Sequence, residues 1–144
     1  MSTNQTAALI GLDTNVLIRF FVQDDPEQAQ AAAEVMGRLG TETAGFICRE
    51  VMVELVWVLE RAYRLPRADI ARALDGLLEA REIVIEAADR VAIALDRYRK
   101  GGPGFADQMI ALAGQGAGCH ETDSFDRQAA KVPGMRLLVG TSGH

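Results

Sequence analysis

Histidine and cysteine are scarce in this chain, with two of each in 144 residues. The histidines are His120 and His144, and the second is the last residue, where chains fray, so paired-imidazole acid–base chemistry is not expected. Cys48 and Cys119 each adjoin an apolar segment that reads as a buried strand. A free thiol in such a place behaves as a small hydrophobe, which makes reduced core residues the reading, not a disulfide framework, a metal site or a nucleophile. No apolar run approaches the roughly 20 residues that span a bilayer. The opening MSTNQTAALIG also lacks the basic stretch and long apolar segment of a secretory signal. A soluble, cytoplasmic protein with no membrane partner is the expectation. Positive charge is in deficit as well: 15 Lys and Arg stand against 20 Asp and Glu, for a net charge of −5. That argues against a broad basic face gripping long nucleic acid, because phosphate neutralisation supplies much of such affinity. Any nucleic-acid contact should be local and metal-assisted, and the candidate chemistry falls to carboxylates.

Apolar residues are plentiful, at 49% of the chain, enough for one ordinary hydrophobic core, and the length suits a single domain over 1–144 with its core at about 8–139. Ala8 to Leu12 (ALIGL) reads as a fully buried strand feeding a helix, TNVLIRFFVQ, that stops at Asp24-Asp25-Pro26. The alanine-rich segment from Glu27 to Leu39 is expected to be helical, with Pro26 at its first position and Gly40 as its stop. Gly45 to Cys48 suggests a second strand. Arg49 to Tyr63 is too long for a strand and contains neither Gly nor Pro, so it reads as a largely buried helix despite its valines. Helices are expected at about Arg67 to Ala80 and Asp89 to Lys100, on either side of the β-like Ile83-Val84-Ile85. Gly101-Gly102-Pro103-Gly104 then breaks the pattern. A helix from Phe105 to Gly116, a strand from Ala117 to Thr122, a short helix from Phe125 to Lys131 and a strand from Arg136 to Val139 complete the reading. Alternating short strands and helices imply an α/β fold, a three-layer α/β/α sandwich around a mainly parallel sheet of four or five strands. The first six residues and Thr141 to His144 look dispensable.

In parallel α/β sheets, ligand sites collect beyond the carboxyl ends of the strands. Asp13 stands at such an end. Asp126 lies in the turn Thr122-Asp123-Ser124-Phe125-Asp126, with Asp123 as a competitor, and Asp107 lies in the first turn of the helix after Gly-Pro-Gly. Glu54 is surrounded in sequence by Val51, Val53, Leu55, Val56, Trp57 and Val58, so a buried carboxylate in need of a cation or hydrogen bonds is expected there. Each acid also has a structural alternative. Asp13 and Asp126 could cap the helices that follow them. Asp107 could be a first-turn acid placed by the helix dipole. Glu54 could pair with Arg61 or face solvent through a different helix phase. Taken together, four acids at edge positions, with no competing histidine or reactive cysteine, suit a hard cation such as Mg²⁺ or Mn²⁺.

At these residues the sequence resembles the PIN domain family and, within it, the VapC toxins. GLDTNVLIRFFVQDDPEQAQAA (Gly11 to Ala32) is similar to that family's opening segment, ICREVMVELVWVLERAYRLPR (Ile47 to Arg67) to its acid-bearing helix, GFADQMIALAGQGAGC (Gly104 to Cys119) to its F-A-D helix, and TDSFDRQAAKVPGMRLL (Thr122 to Leu138) to its T-F-D segment. Ser124 stands where a threonine is expected before Phe-Asp, and Asp123 adds a charge beside it. The resemblance implies an endoribonuclease that is the toxin of a type II toxin–antitoxin pair. It implies that Asp13, Glu54, Asp107 and Asp126 are catalytic, with Mg²⁺ (Mn²⁺ substituting) held directly by Asp13 and Asp107 while Glu54 and Asp126 act through waters or a second ion. It also implies an RNA substrate, a homodimer and a VapB-type antitoxin covering the active site.

Thr14, Asn15, Thr122 and Ser124 are candidates for orienting the acids or a water, with caps and turn formation as the alternative. Arg19, Arg49 and Arg127 are candidate RNA contacts, or ordinary surface charges. The region from Phe20 to Leu39 and the apolar helix with Trp57 are candidate partner surfaces. Two rival readings stay open: a PIN-like RNA- or protein-binding module that has lost catalysis, and a Mg²⁺-dependent phosphatase. The phosphatase reading wants a second suitably placed acid after Asp13, where Thr14 and Asn15 stand instead.

Overall fold

A computed structural model of the protein describes residues 8–140. The first six residues and the segment from Thr141 to His144 lie outside the described residues, and so does the expectation that they are dispensable. The elements run β1 (Ala8–Gly11), α1 (Thr14–Phe21), α2 (Pro26–Gly37), β2 (Thr43–Ile47), α3 (Arg49–Arg61), α4 (Arg67–Glu79), β3 (Ile83–Ile85), α5 (Ala88–Arg99), α6 (Phe105–Gly116), β4 (Thr122–Ser124), a 3-10 turn (Ala129–Lys131) and β5 (Met135–Leu137). All three strand pairings are parallel, which gives the α/β class. The strands are divided between a three-stranded sheet, β1-β2-β3, and a two-stranded sheet, β4-β5. The chain forms two compact units, Met1–Ala88 and Asp89–His144.

In the first unit each crossover between parallel strands carries a pair of helices, α1–α2 and then α3–α4, which gives the chain the length to return to the same end of the sheet. Asp25 caps α2 by accepting from Gln28 N–H at 3.1 Å, and Pro26 occupies the first helical position as expected. The helix stops at Gly37, three residues short of Gly40. On α3 the buried positions are Val51, Met52, Leu55, Val56 and Leu59, a single stripe at helical spacing. With Leu17, Ile47, Ile70 and Leu74 they make the core of this unit, each fully buried side chain contributing roughly 1.5–3 kcal/mol. Gly45 is needed where Leu12 and Leu39 close over β2: a Cβ there would lie 2.8 Å from Leu12 Cδ1 and 3.0 Å from Leu39 Cδ1.

Strand β1 departs from the sequence reading. It ends at Gly11, and all four of its residues are exposed, Leu9 at 55% and Ile10 at 45%. Apolar composition signals burial, but among the described residues β1 pairs with β2 alone, at one end of the strand order, and nothing covers its side chains. α1 likewise stops at Phe21, before Val22 and Gln23.

In the second unit Tyr98 of α5 and Phe105 of α6 are fully buried and meet edge to face, with centroids 6.1 Å apart and rings at 83°. The turn between these helices uses Gly101 at φ 96° and Gly102 at φ 85°, a backbone region costly for other residues, which accounts for the glycine break. The segment read as a strand from Ala117 to Thr122 is a turn followed by irregular chain, and β4 begins only at Thr122. The helix read over 125–131 contracts to the 3-10 turn. In both places the apolar signal is short and the polar residues form local turns instead, Asp126 bonding to the chain just ahead of it. Cys119 is exposed and Cys48 half-buried. Cys119 is therefore not a core residue: it follows Gly118, whose φ of 88° turns the chain after α6.

Candidate functional site

Asp13 is set at the N-cap of α1, two residues past β1. Its Oδ1 accepts from Thr14 N–H at 2.8 Å, and the carboxylate stays exposed. The capping alternative thus describes a real interaction of Asp13, one that leaves its remaining oxygen lone pairs available. Thr14 is 4% exposed, and its hydroxyl donates to Oε1 of Glu54. Asp13, Thr14 and Glu54 therefore form one bonded chain from the end of β1 to the middle of α3. The buried stripe of α3 lies on the opposite side from the exposed positions Arg49, Glu50, Glu54, Trp57 and Arg61. Glu54 is exposed, and its expected burial is corrected: the valines around it supply the helix's inner face while Glu54 falls one step out of that stripe. Arg61 does not lie on Glu54 but over the ring of Trp57, at 5.9 Å from its centroid.

The second unit carries the other two acids. Asp107 is half-buried in the first turn of α6. Burial holds its carboxyl above the usual aspartate range, the Gly104 backbone N–H pulls it back down, and the charge of Asp126 raises it further. Asp126 is exposed. Its Oδ1 accepts from Gln128 N–H at 2.8 Å and Ala129 N–H at 3.2 Å, while its own N–H donates to Ser124 Oγ at 3.0 Å. Ser124 and Thr122 share one face of β4, since side chains alternate along a strand. Thr122 is pressed against α6, where its Oγ1 occupies the space a Cβ on Gly114 would need. Asp123 points to the other face and belongs to a different group. Its neighbour Glu121 raises its carboxyl while Arg136 lowers it, and Arg136 Nη1 bonds Glu121 Oε2 at 2.9 Å.

The remaining sequence candidates divide. Arg19 is tied down by Gln28 Oε1 at 2.6 Å, Asp24 Oδ1 at 3.1 Å and Tyr63 Oη at 3.2 Å, and with Asn15 it lines a groove between α1 and α2 floored by Val16, Ala32 and Val35. Arg49 lies 3.8 Å from Glu86 Oε2, and Arg127 is exposed. One residue carried no sequence signal: Gln108, next to Asp107, is 3% exposed with an Oε1 that has no hydrogen-bond partner among the described residues. Its amide directly precedes the apolar run Met109, Ile110, Ala111 and Leu112, a pattern that does not by itself mark a buried polar group.

Chemically, both units offer oxygen donors alone, carboxylates with adjoining hydroxyls, a set that suits a hard divalent cation. The half-buried Asp107 beside the charge of Asp126 is an arrangement that such a cation would relieve. Among the described residues no three carboxylate, imidazole or thiol groups gather into a cluster able to hold an ion. The acids stand as the Asp13–Thr14–Glu54 chain in one unit and the Asp107 and Asp126 pair in the other. No helix of the described residues is long and apolar enough to cross a membrane.

Comparison with known proteins bears on the same residues. A VapC ribonuclease of Aquifex aeolicus (strain VF5) is 28% identical over 123 residues, covering 84% of this chain and 90% of that protein. Residues 10–135 match the sequence model of the PIN domain, a span that runs from β1 into β5 and takes in all four acids. The chain belongs to the PIN domain family.

Proposed function

We propose that this chain is a cytoplasmic, divalent-metal-dependent endoribonuclease of the VapC kind, a single PIN domain acting as the toxin of a toxin–antitoxin pair. The observation that carries this reading is the PIN match over residues 10–135, which takes in all four motif acids, together with the similarity to a VapC ribonuclease over 84% of the chain. The half-buried Asp107 beside the charge of Asp126 fits it, because a hard cation would relieve that charge. Asp13 and Asp107 are the ion-binding carboxylates. Mg²⁺, or Mn²⁺ in its place, supplies Lewis-acid activation of water and offsets the charge of the scissile phosphate. Thr14 holds Glu54 through its hydroxyl, and Ser124 with the two backbone N–H groups at Gln128 and Ala129 holds Asp126, so the two outer acids are oriented by their own units. Hydrolysis by water leaves 5′-phosphate and 3′-hydroxyl ends. A homodimer and a VapB-type antitoxin are the partners in this reading.

The test is cleavage of total cellular RNA by purified, antitoxin-free protein in Mg²⁺ or in EDTA, with Asp13→Asn and Asp107→Ala alongside at matched folding. Discrete fragments that require the metal and vanish in both variants are expected. Fragments that persist in EDTA or in the variants would overturn the assignment, and a complete lack of fragments would favour a binding-only PIN module.

A further inference from the structure

Trp57 is the chain's one tryptophan, and it is 57% exposed on α3. Its neighbours on the outward stripe are charged residues: Glu54 three positions before it and Arg61 four positions after. Residues three and four apart on a helix are surface neighbours, with Cβ atoms roughly 5–6 Å apart. An exposed aromatic next to a candidate catalytic acid, with a guanidinium 5.9 Å from its ring centroid, is a flat π surface with a cation attached. Just beyond it Arg64 is exposed as well. These two guanidiniums, set among Glu50, Glu54 and Glu60, have the sign that phosphates require.

We propose that Trp57, with Arg61 over its ring, is a stacking platform for an unpaired base of RNA next to the bond that Glu54 helps to cleave; this rests on the nuclease reading above. Stacking on an aromatic ring tolerates any base, because each has a π face, and a neighbouring arginine adds cation–π attraction and a phosphate contact. A protein partner fits the surroundings less well. An apolar helix or strand would need a continuous apolar patch, and the stripe around Trp57 is Glu50, Glu54 and Arg61. A nucleobase needs only the ring face, with polar groups at its edge. The platform selects for unpaired over duplex RNA, since a base within a helix already stacks on its neighbours.

The sole tryptophan makes the test direct. Intrinsic fluorescence of the full chain is titrated in EDTA with a single-stranded oligoribonucleotide and with the same sequence as a duplex, while fluorescence polarisation of labelled RNA reports binding independently. Saturable quenching by the single strand and little by the duplex is expected. Trp57→Ala should weaken single-strand binding roughly 5- to 100-fold, Trp57→Phe should retain most of it, and Arg61→Gln should fall between. Because Trp57 is exposed, these variants should fold, which circular dichroism checks. In the cleavage assay Trp57→Ala should raise KM with kcat little changed. Binding without quenching, unchanged affinity of Trp57→Ala or no RNA binding at all would overturn the proposal. A blue shift of the emission on concentrating the protein without RNA would assign the surface to a second copy of the chain and overturn it too. Quenching with no metal-dependent cleavage would sink only the nuclease reading, whereas cleavage untouched by Trp57→Ala would sink only the platform.

Discussion

At Asp107 burial and the charge of Asp126 favour the protonated carboxyl, and the Gly104 N–H only partly offsets them. A carboxyl whose native value lies above its unfolded one binds its proton more tightly in the folded state. Its ionised form therefore destabilises the fold, not at all below the ordinary aspartate range and fully above the raised value. Asp107→Asn should accordingly melt higher than the parent at pH 7, with the gap closing as pH falls from the raised value toward about 4; a gap that widens in acid would refute this account. The same variant should lose activity on the order of 10²- to 10³-fold, as expected when a group that stabilises developing charge is removed. Asp13 separates differently, because asparagine caps a helix as well as aspartate does. Asp13→Asn should keep its urea midpoint close to that of the parent yet lose cleavage, whereas Asp13→Ala should lose both cleavage and about 0.5–2 kcal/mol of stability. Equal stability losses in the two variants would show that the charge itself, not the cap, holds α1.

The contact between α6 and β4 has little room. A methyl group on Gly114 would meet Oγ1 of Thr122, while one on Gly116 would lie 3.1 Å from Arg90 Nη2, the far end of a flexible side chain. Both positions are helical, so propensity alone favours alanine over glycine by roughly 1 kcal/mol at each. Gly114→Ala should nevertheless destabilise by about 1–3 kcal/mol through overpacking, and Gly116→Ala should be neutral or stabilising. Denaturant titration of the pair checks this, and equal gains at both would show that Thr122 gives way freely. Helix propensities and stop signals made α2, α4, α5 and α6 legible in the sequence to within a few residues, because long periodic segments carry a repeated signal. β4 and the 3-10 turn were not, since three residues offer no period and turn chemistry at Asp126 outweighs propensity.

On the scale of the whole molecule, a net charge of −5 limits how many phosphates the protein can grip. If two or three arginines make the contact, log Kobs against log[salt] for single-stranded RNA should have a slope of about −1 to −2. Filter binding over a range of KCl concentrations measures it, and a slope of about −5 or steeper would reveal a broad basic footprint that the composition does not provide. The family, too, was readable at this scale. D-T-N, E-L-V-W-V-L, F-A-D and S-F-D stand in order along the chain, and the PIN match covers residues 10–135.

By itself the sequence determined the helix and strand alternation, the parallel α/β class and the glycine break at Gly101-Gly102, because these follow from residue type and local spacing. Only the tertiary structure decided which way those residues face. Glu54 lies outward though valines flank it, β1 is exposed though apolar, and Asp123 turns away from Asp126 toward Glu121 and Arg136. Exposure depends on which neighbour an element packs against, and a residue's local sequence does not contain that neighbour.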